Sequence, residues 1–555
     1  MFFVEPRIDM GMPYLREPWV NPFSINIIDT LRKSSHSKEF EFCITLNEPL
    51  KIKYESIEGI TKIFFTQEEL LPSLIGDALV ISASWYNEDY SEEQMSYYKN
   101  LMNEKFYDFI PDVIITFSPA PYLRNIFPDA LVLHHEVSFF SRAPYPMTWY
   151  LDPHGMMFSN FSSLKRFEKE IKRMGLNNFQ QRLLNNFKQK CQILLKARSP
   201  FDAIIKPQMK RFDYLALFPL TTIDTYCFYG KFKDKFKNQY QYLVYVLENI
   251  PQNIGLIVTT HTDFVNSLAR EVIEYLKLKY PNFIYHEEFE KYYAPSQYLL
   301  SYVDVVIGVF SSLCWQSLLW DKKFINLGNL NIIADSNNLE DISGVLQKEF
   351  VNKDSILYWL LTRYTITGEY FHDPEWLSNH LFTSLQKFRD GGRNFNFFEP
   401  IDNDKNIFDN LANGLDEDIP HNNSVMSYRR QKKSYEDLKV NYEGLKSKCE
   451  GLNAFQLLDE MVNNGVDLFA QGKQNEAYTL FSKMLQGVNN IKSVLMNNMA
   501  IFHINNGNFD NAEQIFNALI NEGSNIDAVR ENLQKLQYLK QKRIQTTSFA
   551  GENQK

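Results

Sequence analysis

The chain has 555 residues, of which 44% are hydrophobic and 23% are charged, so it can bury the cores of about two to four domains. Its net charge of −9 argues against a nucleic-acid binder, which would normally carry a basic patch. The first ten residues lack the order of a signal peptide, and no run approaches the roughly 18 apolar residues that a membrane span requires. We therefore expect a cytoplasmic protein without a transmembrane span, and leave peripheral binding to the inner membrane open.

The cysteine pattern indicates a reducing compartment. The chain has five cysteines, an odd number, and none of them forms a CxxC pair. Free thiols are the simple interpretation, and neither disulfides nor a structural zinc site is expected.

From residue 39 onward, short apolar runs alternate with helical patterns. The runs at 40–46, 78–84, 112–118 and 130–135 read as strands, and 91–110 reads as an amphipathic helix between two of them. This alternation is the signature of βαβ units and a parallel sheet.

Residues 161–198 contain two long helical patterns with no strand between them, and they read as a join. The alternation then restarts, with strands at 214–220, 255–261, 282–286, 304–310 and 323–328. We expect an α/β protein with two Rossmann-like domains in the two-domain arrangement called GT-B. Helices near 354–363 and 374–389 are expected to close the second domain and cross back to the first.

These patterns predict four segments: domains at 1–175 and 176–390, a linker at 391–430 that is rich in Asn, Asp and Gly, and a helical domain at 431–545. A charged helix is expected at 427–452.

The last segment contains an internal repeat. Residues 472–485 align with residues 507–520 at a spacing of 35, which pairs Ala477 with Ala512 and Phe481 with Phe516. Small residues at a helix crossing and an aromatic on the next helix are what a tetratricopeptide repeat requires, although an ordinary helical hairpin is the alternative. Such a module would offer a surface for a protein partner.

Two carboxylates are the first candidate catalytic groups. Glu136 follows the strand at 130–135, and Asp152 lies in an aromatic and proline-rich stretch at 143–161. Paired carboxylates flanking a sugar carbon are the recurring device of glycosyl chemistry, one attacking and one moving protons. The structural alternatives are that Glu136 caps a loop or pairs with Arg142, and that Asp152 forms a turn.

Two later strand ends are candidate phosphate contacts. His261 ends one strand, and Asp263 opens the next helix, so His261 either contacts a phosphate or pairs locally with Asp263. Ser311 and Ser312 follow a buried strand and open a helix, which predicts an anion site, with a plain helix cap as the alternative. We expect these residues to bind a nucleotide.

Several common motifs are absent from the sequence. It contains no GxGxxG, GxxxxGK[ST], HExxH or GxSxG pattern, and the paired aspartates at 401–406 lie in the expected linker. We therefore expect no metal and no cofactor apart from a donor nucleotide, whose leaving-group charge would be met by backbone amides, His and hydroxyls.

Together these motifs resemble the bacterial capsule-polysaccharide Kdo transferases, which are retaining β-Kdo enzymes with a GT-B-like fold. The matching segments cover about residues 75–330 and are HEVSFFSR, PYPMTWYLDPHG, YLALFPLTTID, HTD at 261–263 and SSLCWQSLLWDKKFINLG. The chain departs from the family at Thr262, where a proline is usual, and at Gln316, where an acid often stands.

The resemblance implies that Kdo, an eight-carbon acidic sugar, is transferred with retention from CMP-Kdo to a surface-polysaccharide or glycolipid acceptor. Asp152 would be the nucleophile that forms a covalent intermediate, and Glu136 would be the acid/base. Arg142 or His154 would bind the sugar carboxylate, with His135 as a further substrate contact. His261, Ser311 and Ser312 would bind the CMP phosphate.

Two other functions remain open at this point. One is a GT-B transferase that uses a UDP- or GDP-sugar and acts on protein. The other is a non-catalytic scaffold in which the repeat segment is the functional part. Donor binding separates the first from a Kdo transferase, and replacement of Glu136 and Asp152 without loss of function would indicate the second.

Overall fold

The computed structural model describes most of the first 415 residues and one helix near the C-terminus. The described residues are 1–3, 20–66, 69, 88–117, 120, 122–157, 159, 162–221, 235–236, 238–261, 268, 270–328, 332–392, 397–415, 509–521, 533–534 and 536–537. The chain divides into two compact units, Met1–Asn423 and Ser424–Lys555.

Twelve strands in the described residues form two sheets, both in the first unit. The strands are β1 Phe2–Phe3, β2 Cys43–Asn47, β3 Thr61–Phe65, β4 Val113–Thr116, β5 Leu131–Val137, β6 Thr148–Asp152, β7 Tyr214–Pro219, β8 Ile254–Thr259, β9 Phe283–Ile284, β10 Val305–Gly308, β11 Lys323–Asn326 and β12 Ile366–Thr367.

The first sheet has the order β12-β6-β5-β4-β1-β2-β3. Its strands β1 to β5 pair in parallel, whereas β6 runs antiparallel to β5, and β12 runs antiparallel to β6. The second sheet has the order β11-β10-β7-β8-β9, and all its pairs are parallel. The α/β class and the two largely parallel sheets expected from the sequence are confirmed.

Helices connect and cover the strands. Those with at least six residues are Asn26–Leu31, Glu92–Lys105, Glu168–Arg173, Asn178–Ala197, Asp202–Arg211, Gln239–Asn249, Arg270–Lys279, Ile342–Gln347, Asp354–Trp359, Pro374–Gly391, Asp404–Asn413 and Phe509–Asn521. Shorter ones are Lys51–Tyr54, Leu123–Ile126, Ser163–Arg166, Pro295–Leu299, Ser312–Gln316 and Gly368–Phe371. None of the helices among the described residues is long and apolar enough to cross a membrane.

Local sequence fixes where two of the long helices begin. Ser91 accepts a hydrogen bond from the backbone N–H of Gln94, whose side chain accepts one from the backbone of Ser91 in return. Asn177 and Gln180 form the same reciprocal pair at the start of Asn178–Ala197. These capping boxes satisfy N–H groups that the first turn of a helix leaves without partners.

The chain crosses back to the first sheet after it leaves the second. A π-helical turn at Leu360–Tyr364 is followed by β12, which pairs with β6. The helix Pro374–Gly391 then packs against β5 and against Asn26–Leu31. The final part of the first unit therefore contributes residues to the sheet that carries Glu136 and Asp152.

Four strands of the structure, β1, β3, β6 and β12, were not predicted from the sequence, and a helix lies in the expected linker. The stretch 143–161 contains strand β6, because Thr148, Trp149, Tyr150 and Leu151 form a buried apolar run that pairs with β5. The expected linker at 391–430 contains the helix Asp404–Asn413, whose buried Ile407, Phe408 and Leu411 pack near Asn178–Ala197.

Strand β3 was missed because only two of its five side chains are buried. The expected strand at 78–84, the linker residues after 415 and the charged helix at 427–452 lie outside the described residues.

In the second unit, the structure describes the helix Phe509–Asn521. Ala512 and Phe516, the two aligned repeat positions in it, are both buried. The matching segment at 472–485 lies outside the described residues, so the tetratricopeptide-like repeat stays a prediction, as do the domain boundaries within the first unit.

Candidate active site

The two candidate carboxylates lie on one face of the first sheet. Strands β5 and β6 are antiparallel, with Glu136 opposite Tyr150 and His134 opposite Asp152. Because side chains alternate along a strand and directly opposite residues share a face, all four project to the same side. Glu136 is half-buried and lies within β5 rather than beyond its end, while Asp152 is the last residue of β6 and is 0% exposed.

Asp152 is surrounded by hydrogen-bond donors. One of its oxygens, Oδ1, accepts from the backbone N–H of His154 at 2.8 Å, from that of Gly155 at 3.3 Å and from the Ser163 hydroxyl at 2.7 Å. Its other oxygen, Oδ2, accepts from the Ser163 N–H and from the Tyr364 hydroxyl, both at 3.0 Å. A carboxylate offers about four lone-pair positions, so these five donors occupy it fully.

His154 belongs to the same network. Its Nδ1 lies 2.7 Å from Ser163 Oγ, and its ring is buried. Because the single Ser163 hydroxyl hydrogen goes to Asp152, Nδ1 of His154 carries a hydrogen and donates to Ser163. In this arrangement the His154 ring supports Asp152 through Ser163, in addition to the direct hydrogen bond from the His154 backbone N–H. The expected contact of His154 with a sugar carboxylate stays a prediction.

Tyr364 reaches Asp152 from the segment that crosses back to the first sheet, 212 residues later in the chain. Its ring stacks on that of Tyr150 at 5.3 Å. Burial, and then the charge of Asp152, raises the pKa of Tyr364 well above its usual value, and Glu136 also contributes. The phenol therefore keeps its proton and acts as a donor to Asp152 at all ordinary pH values.

His135 is buried in the core, and its expected contact with a substrate stays a prediction. The alternation of β5 places it on the opposite face from Glu136, where it is 0% exposed. Its ring stacks on Phe371 at 5.1 Å and lies 5.4 Å from Trp149, and Nδ1 is 3.2 Å from the Tyr150 carbonyl oxygen. Burial lowers the pKa of His135 to about 4, so it is a neutral core residue.

Arg142 and His261 meet although they follow strands of different sheets. Nη2 of Arg142 lies 3.4 Å from Nε2 of His261, and the pair is partly buried. The sequence predicted both as contacts for anionic groups, one for the sugar carboxylate and the other for phosphate. The structure places the two side chains in contact, so both predicted anion contacts lie at one point. Thr262 and Asp263 lie outside the described residues, so the local pairing of His261 with Asp263 stays untested.

Ser311 and Ser312 leave the same edge of the second sheet as His261. All strands of this sheet are parallel, and β10 and β8 flank β7, so the two strand ends are about 10 Å apart. Ser311 Oγ accepts a 3.3 Å hydrogen bond from the Leu313 N–H, which makes it the helix cap that was the alternative interpretation. Both serines are half-buried, so their hydroxyls remain close to the surface of this edge.

The helix Ser312–Gln316 also contacts the loop that follows β5 in the first sheet. Nε2 of Gln316 donates a 2.8 Å hydrogen bond to the Phe139 carbonyl oxygen. Gln316 stands at the position where the family that the motifs resemble often has an acidic residue. The ring of Phe139 lies 4.3 Å from that of Trp315. Sequence reasoning missed Tyr364 and Ser163 as neighbours of Asp152 and treated Gln316 only as a departure from a motif.

The described residues contain no cluster of three or more His, Cys, Asp or Glu side chains that could hold a metal ion. Three free cysteines in this part of the chain, Cys43, Cys191 and Cys314, are buried. The other two, Cys227 and Cys449, lie outside it.

The fold and this site define a two-sheet α/β protein with donor groups clustered at the edge of its second sheet. No protein-family model matches the chain, and no curated protein sequence matches it. Among solved structures, the chain is similar to Thermosulfurimonas dismutans KpsC, described as a β-Kdo 2,7 transferase. The two are 15% identical with a TM-score of 0.31, over 52% of this chain and 88% of that one.

The chain is also similar to the Thermosulfurimonas dismutans KpsC β-Kdo 2,4 transferase, with 15% identity and a TM-score of 0.27 over 44% of this chain and 75% of that one. A third similar structure is the glycotransferase of kitacinnamycin, with 11% identity and a TM-score of 0.28 over 69% of this chain and 98% of that one.

Proposed function

We propose that the chain is a glycosyltransferase that transfers Kdo from CMP-Kdo to a surface-polysaccharide or glycolipid acceptor. The contact between Arg142 and His261 carries this proposal, because it brings a loop from the carboxylate-bearing sheet to the carboxyl edge of the second sheet. Ligands of open α/β sheets bind at such edges. The choice of CMP-Kdo among nucleotide sugars comes from the sequence motifs.

The charge of the donor would be met by protein groups in this proposal. Arg142, which donates to His261, supplies further donors for the phosphate or the sugar carboxylate, and the hydroxyls of Ser311 and Ser312 lie on the same edge. Charge-assisted hydrogen bonds of this kind stabilise an anionic leaving group without a metal.

Transfer with retention would take two steps. In the first, a carboxylate oxygen of Asp152 bonds to the anomeric carbon while the bond from that carbon to the phosphate oxygen breaks, and CMP leaves. In the second, the acceptor hydroxyl oxygen bonds to the same carbon while the bond to Asp152 breaks, and the hydroxyl proton passes to Glu136. The shared face of Glu136 and Asp152 supports this division of roles.

The hydrogen bonds around Asp152 set a condition on the first step. Since both oxygens are occupied and the side chain has no exposed surface, one donor must withdraw before Asp152 can attack. Tyr364 is the donor that comes from a separate segment, so its withdrawal leaves the strand and the loop after β6 in place. If no donor withdraws, Asp152 organises the site instead, and Glu136 remains as the more accessible carboxylate on this face.

Intact-mass measurements on the full chain with CMP-Kdo test the proposal. In the Glu136→Gln variant the second step is blocked, so we expect the mass to rise by one Kdo and CMP to be released. The double variant Glu136→Gln/Asp152→Asn should show no mass increase. Asp213→Ala, which changes an exposed aspartate of the second domain, is the control and should behave like the parent protein.

Other outcomes would replace this function. Turnover of CMP-Kdo without an adduct in Glu136→Gln would remove the covalent role of Asp152 while keeping the donor. Release of UDP or GDP from their sugars, without CMP turnover, would favour the other transferase. Absence of nucleotide binding by the parent protein would favour the scaffold.

A further inference from the structure

The loop after β5, residues 138–142, is fixed to the second sheet by a buried side chain. Gln316 is 1% exposed, and its Nε2 donates a 2.8 Å hydrogen bond to the carbonyl oxygen of Phe139. The Phe139 ring, which is 0% exposed, lies 4.3 Å from Trp315 on the same helix. A polar and an aromatic contact therefore join this loop to the helix Ser312–Gln316.

Other contacts of the loop come from the first sheet and the crossing segment. The Thr148 hydroxyl donates to the Phe140 carbonyl at 2.7 Å, and the hydroxyls of Ser138 and Thr365 lie 2.8 Å apart. These bonds hold the loop to its own sheet. The Gln316 bond has a different effect, because it sets the distance from the loop to the edge of the second sheet.

The position of the bond within the loop gives it a consequence for the site. Phe139 lies three residues after Glu136 and three residues before Arg142, which contacts His261. A shift at Phe139 would therefore displace Arg142 from His261 and alter the loop that follows Glu136. Side-chain packing alone would not prevent this shift, because a buried carbonyl without a donor is destabilising and the loop would move to pair it with another donor.

We propose that Gln316 is a positioning residue: by holding the Phe139 carbonyl, it sets Arg142 against His261 in the geometry that binds the phosphate of the donor. The inference rests on the proposed function of this site. A glutamate at 316 would place a carboxylate oxygen against the carbonyl oxygen, so the amide is required here for its donor hydrogen.

The test compares Gln316→Met with Gln192→Met in the full chain. Both substitutions keep side-chain length and remove an amide that donates to a backbone carbonyl. Gln192 donates to Leu319 and joins the helix Asn178–Ala197 to the turn Ser317–Trp320, which carry no candidate site residue. Because the Gln192 bond is partly buried, the pair separates the loss of an amide-to-carbonyl hydrogen bond in general from the loss of the Gln316 bond.

Two measurements are made on each variant. The first is amide hydrogen exchange of the peptide that contains residues 138–142, without any ligand. The second is the affinity for CMP by calorimetry, with KM and kcat for CMP-Kdo. We expect about tenfold faster exchange of the peptide in Gln316→Met, a cost typical of an unpaired buried carbonyl. We also expect about fivefold weaker CMP binding and a KM for CMP-Kdo that rises more than kcat falls. Gln192→Met should match the parent protein in both.

The outcomes distinguish the inference from the proposed function. Unchanged exchange in Gln316→Met, or faster exchange with unchanged CMP affinity, would overturn the positioning role. Equal changes in Gln192→Met would overturn it as well, because a general loss of stability would then explain the result. If the parent protein binds no CMP, the proposed function fails, and the exchange of residues 138–142 alone decides whether Gln316 holds the loop.

Discussion

Nη2 of Arg142 lies 3.4 Å from Nε2 of His261, although 119 residues separate them in the chain. Arg142 follows β5 of the first sheet, and His261 follows β8 of the second. Since a guanidinium can only donate, Nε2 of the imidazole accepts the hydrogen bond from Arg142. His261 therefore positions the guanidinium, and an anion that enters this site would receive hydrogen bonds from other N–H groups of Arg142.

The contact between Arg142 and His261 predicts that substitutions of the two residues have coupled effects on nucleotide binding. Arg142→Ala and His261→Ala should each weaken CMP binding by about tenfold, because the first removes a donor to the phosphate and the second removes the acceptor that positions this donor. The double variant should lose less than the product of the two single effects, since residues in contact are not independent. Calorimetric titration with CMP measures this cycle.

Arg211→Ala is the control for the cycle, because Arg211 is an exposed arginine that donates to the Pro281 carbonyl. CMP affinity should be unchanged in this variant. Multiplicative effects of the two site variants would show that Arg142 and His261 do not act on a common anion.

The donors around Asp152 predict a large cost of its removal. In Asp152→Ala, the Ser163 and His154 N–H groups and the Tyr364 hydroxyl lose a buried acceptor, so the free energy of unfolding should fall by at least about 3 kcal/mol. Urea denaturation measures the loss. Asp213→Ala, which removes an exposed acceptor of Asn253, should cost less than about 1 kcal/mol. Equal costs would show that Asp152 is not held as described.

Tyr364→Phe isolates one of these bonds. The variant keeps the ring that stacks on Tyr150 and removes only the hydroxyl that donates to Asp152, so the expected loss is about 1 kcal/mol. Tyr302→Phe, which removes a hydroxyl bonded to the exposed Asp202, is the matched control and should cost less. A stability of Tyr364→Phe equal to that of the parent protein would remove Tyr364 from the network.

Buried histidines predict a loss of stability at acid pH. Burial lowers the pKa of His134 to about 3 and that of His135 to about 4, from the 6.5 of an exposed ring. As pH decreases, the two rings take up protons in the unfolded chain before they do so in the folded protein. The stability that the neutral rings contribute is therefore fully present above pH 6.5 and is lost as pH decreases from there toward 4. His135→Phe should reduce this fall by up to about 3 kcal/mol.

Urea denaturation of the parent protein and of His135→Phe at pH 7 and pH 4.5 measures this loss of stability at acid pH. His36→Phe is the control of opposite sign, because its hydrogen bond with Glu39 raises the pKa of His36. The stability that His36 contributes is present below pH 6.5 and is lost as pH rises through its raised pKa. An unchanged acid slope in His135→Phe would show that folding does not lower the pKa of His135.

The buried cysteines predict low thiol reactivity. Burial raises the pKa of Cys43 to about 12 and raises those of Cys191 and Cys314 further above the usual range. Iodoacetamide at pH 8 should therefore leave these three unmodified in the native protein and modify all five cysteines in urea. Peptide mass spectrometry identifies the modified residues, and native labelling of Cys314 would contradict its burial.

The sequence predicted the strand ends of this site more readily than its contacts. Alternating apolar runs identify β5, β8 and β10, because a buried parallel strand needs a continuous apolar stretch. Strand β6 was hidden within a segment whose prolines and Asp-Pro-His-Gly sequence resemble a loop. The helix Asp404–Asn413 was missed because its Asn and Asp content is typical of linkers, although three apolar residues on one face are enough to pack it.

The sequence by itself determined the α/β class, the two series of strands and the candidate residues Glu136, Asp152, Arg142 and His261, because these follow from local periodicity and residue chemistry. Only the tertiary structure decided that Arg142 meets His261, that Tyr364 donates to Asp152 and that His135 faces the core. Such contacts depend on strand register and on a chain that returns to its first sheet after more than 200 residues. A one-residue change of register reverses which face a side chain occupies, and no local pattern encodes it at a single position such as His135.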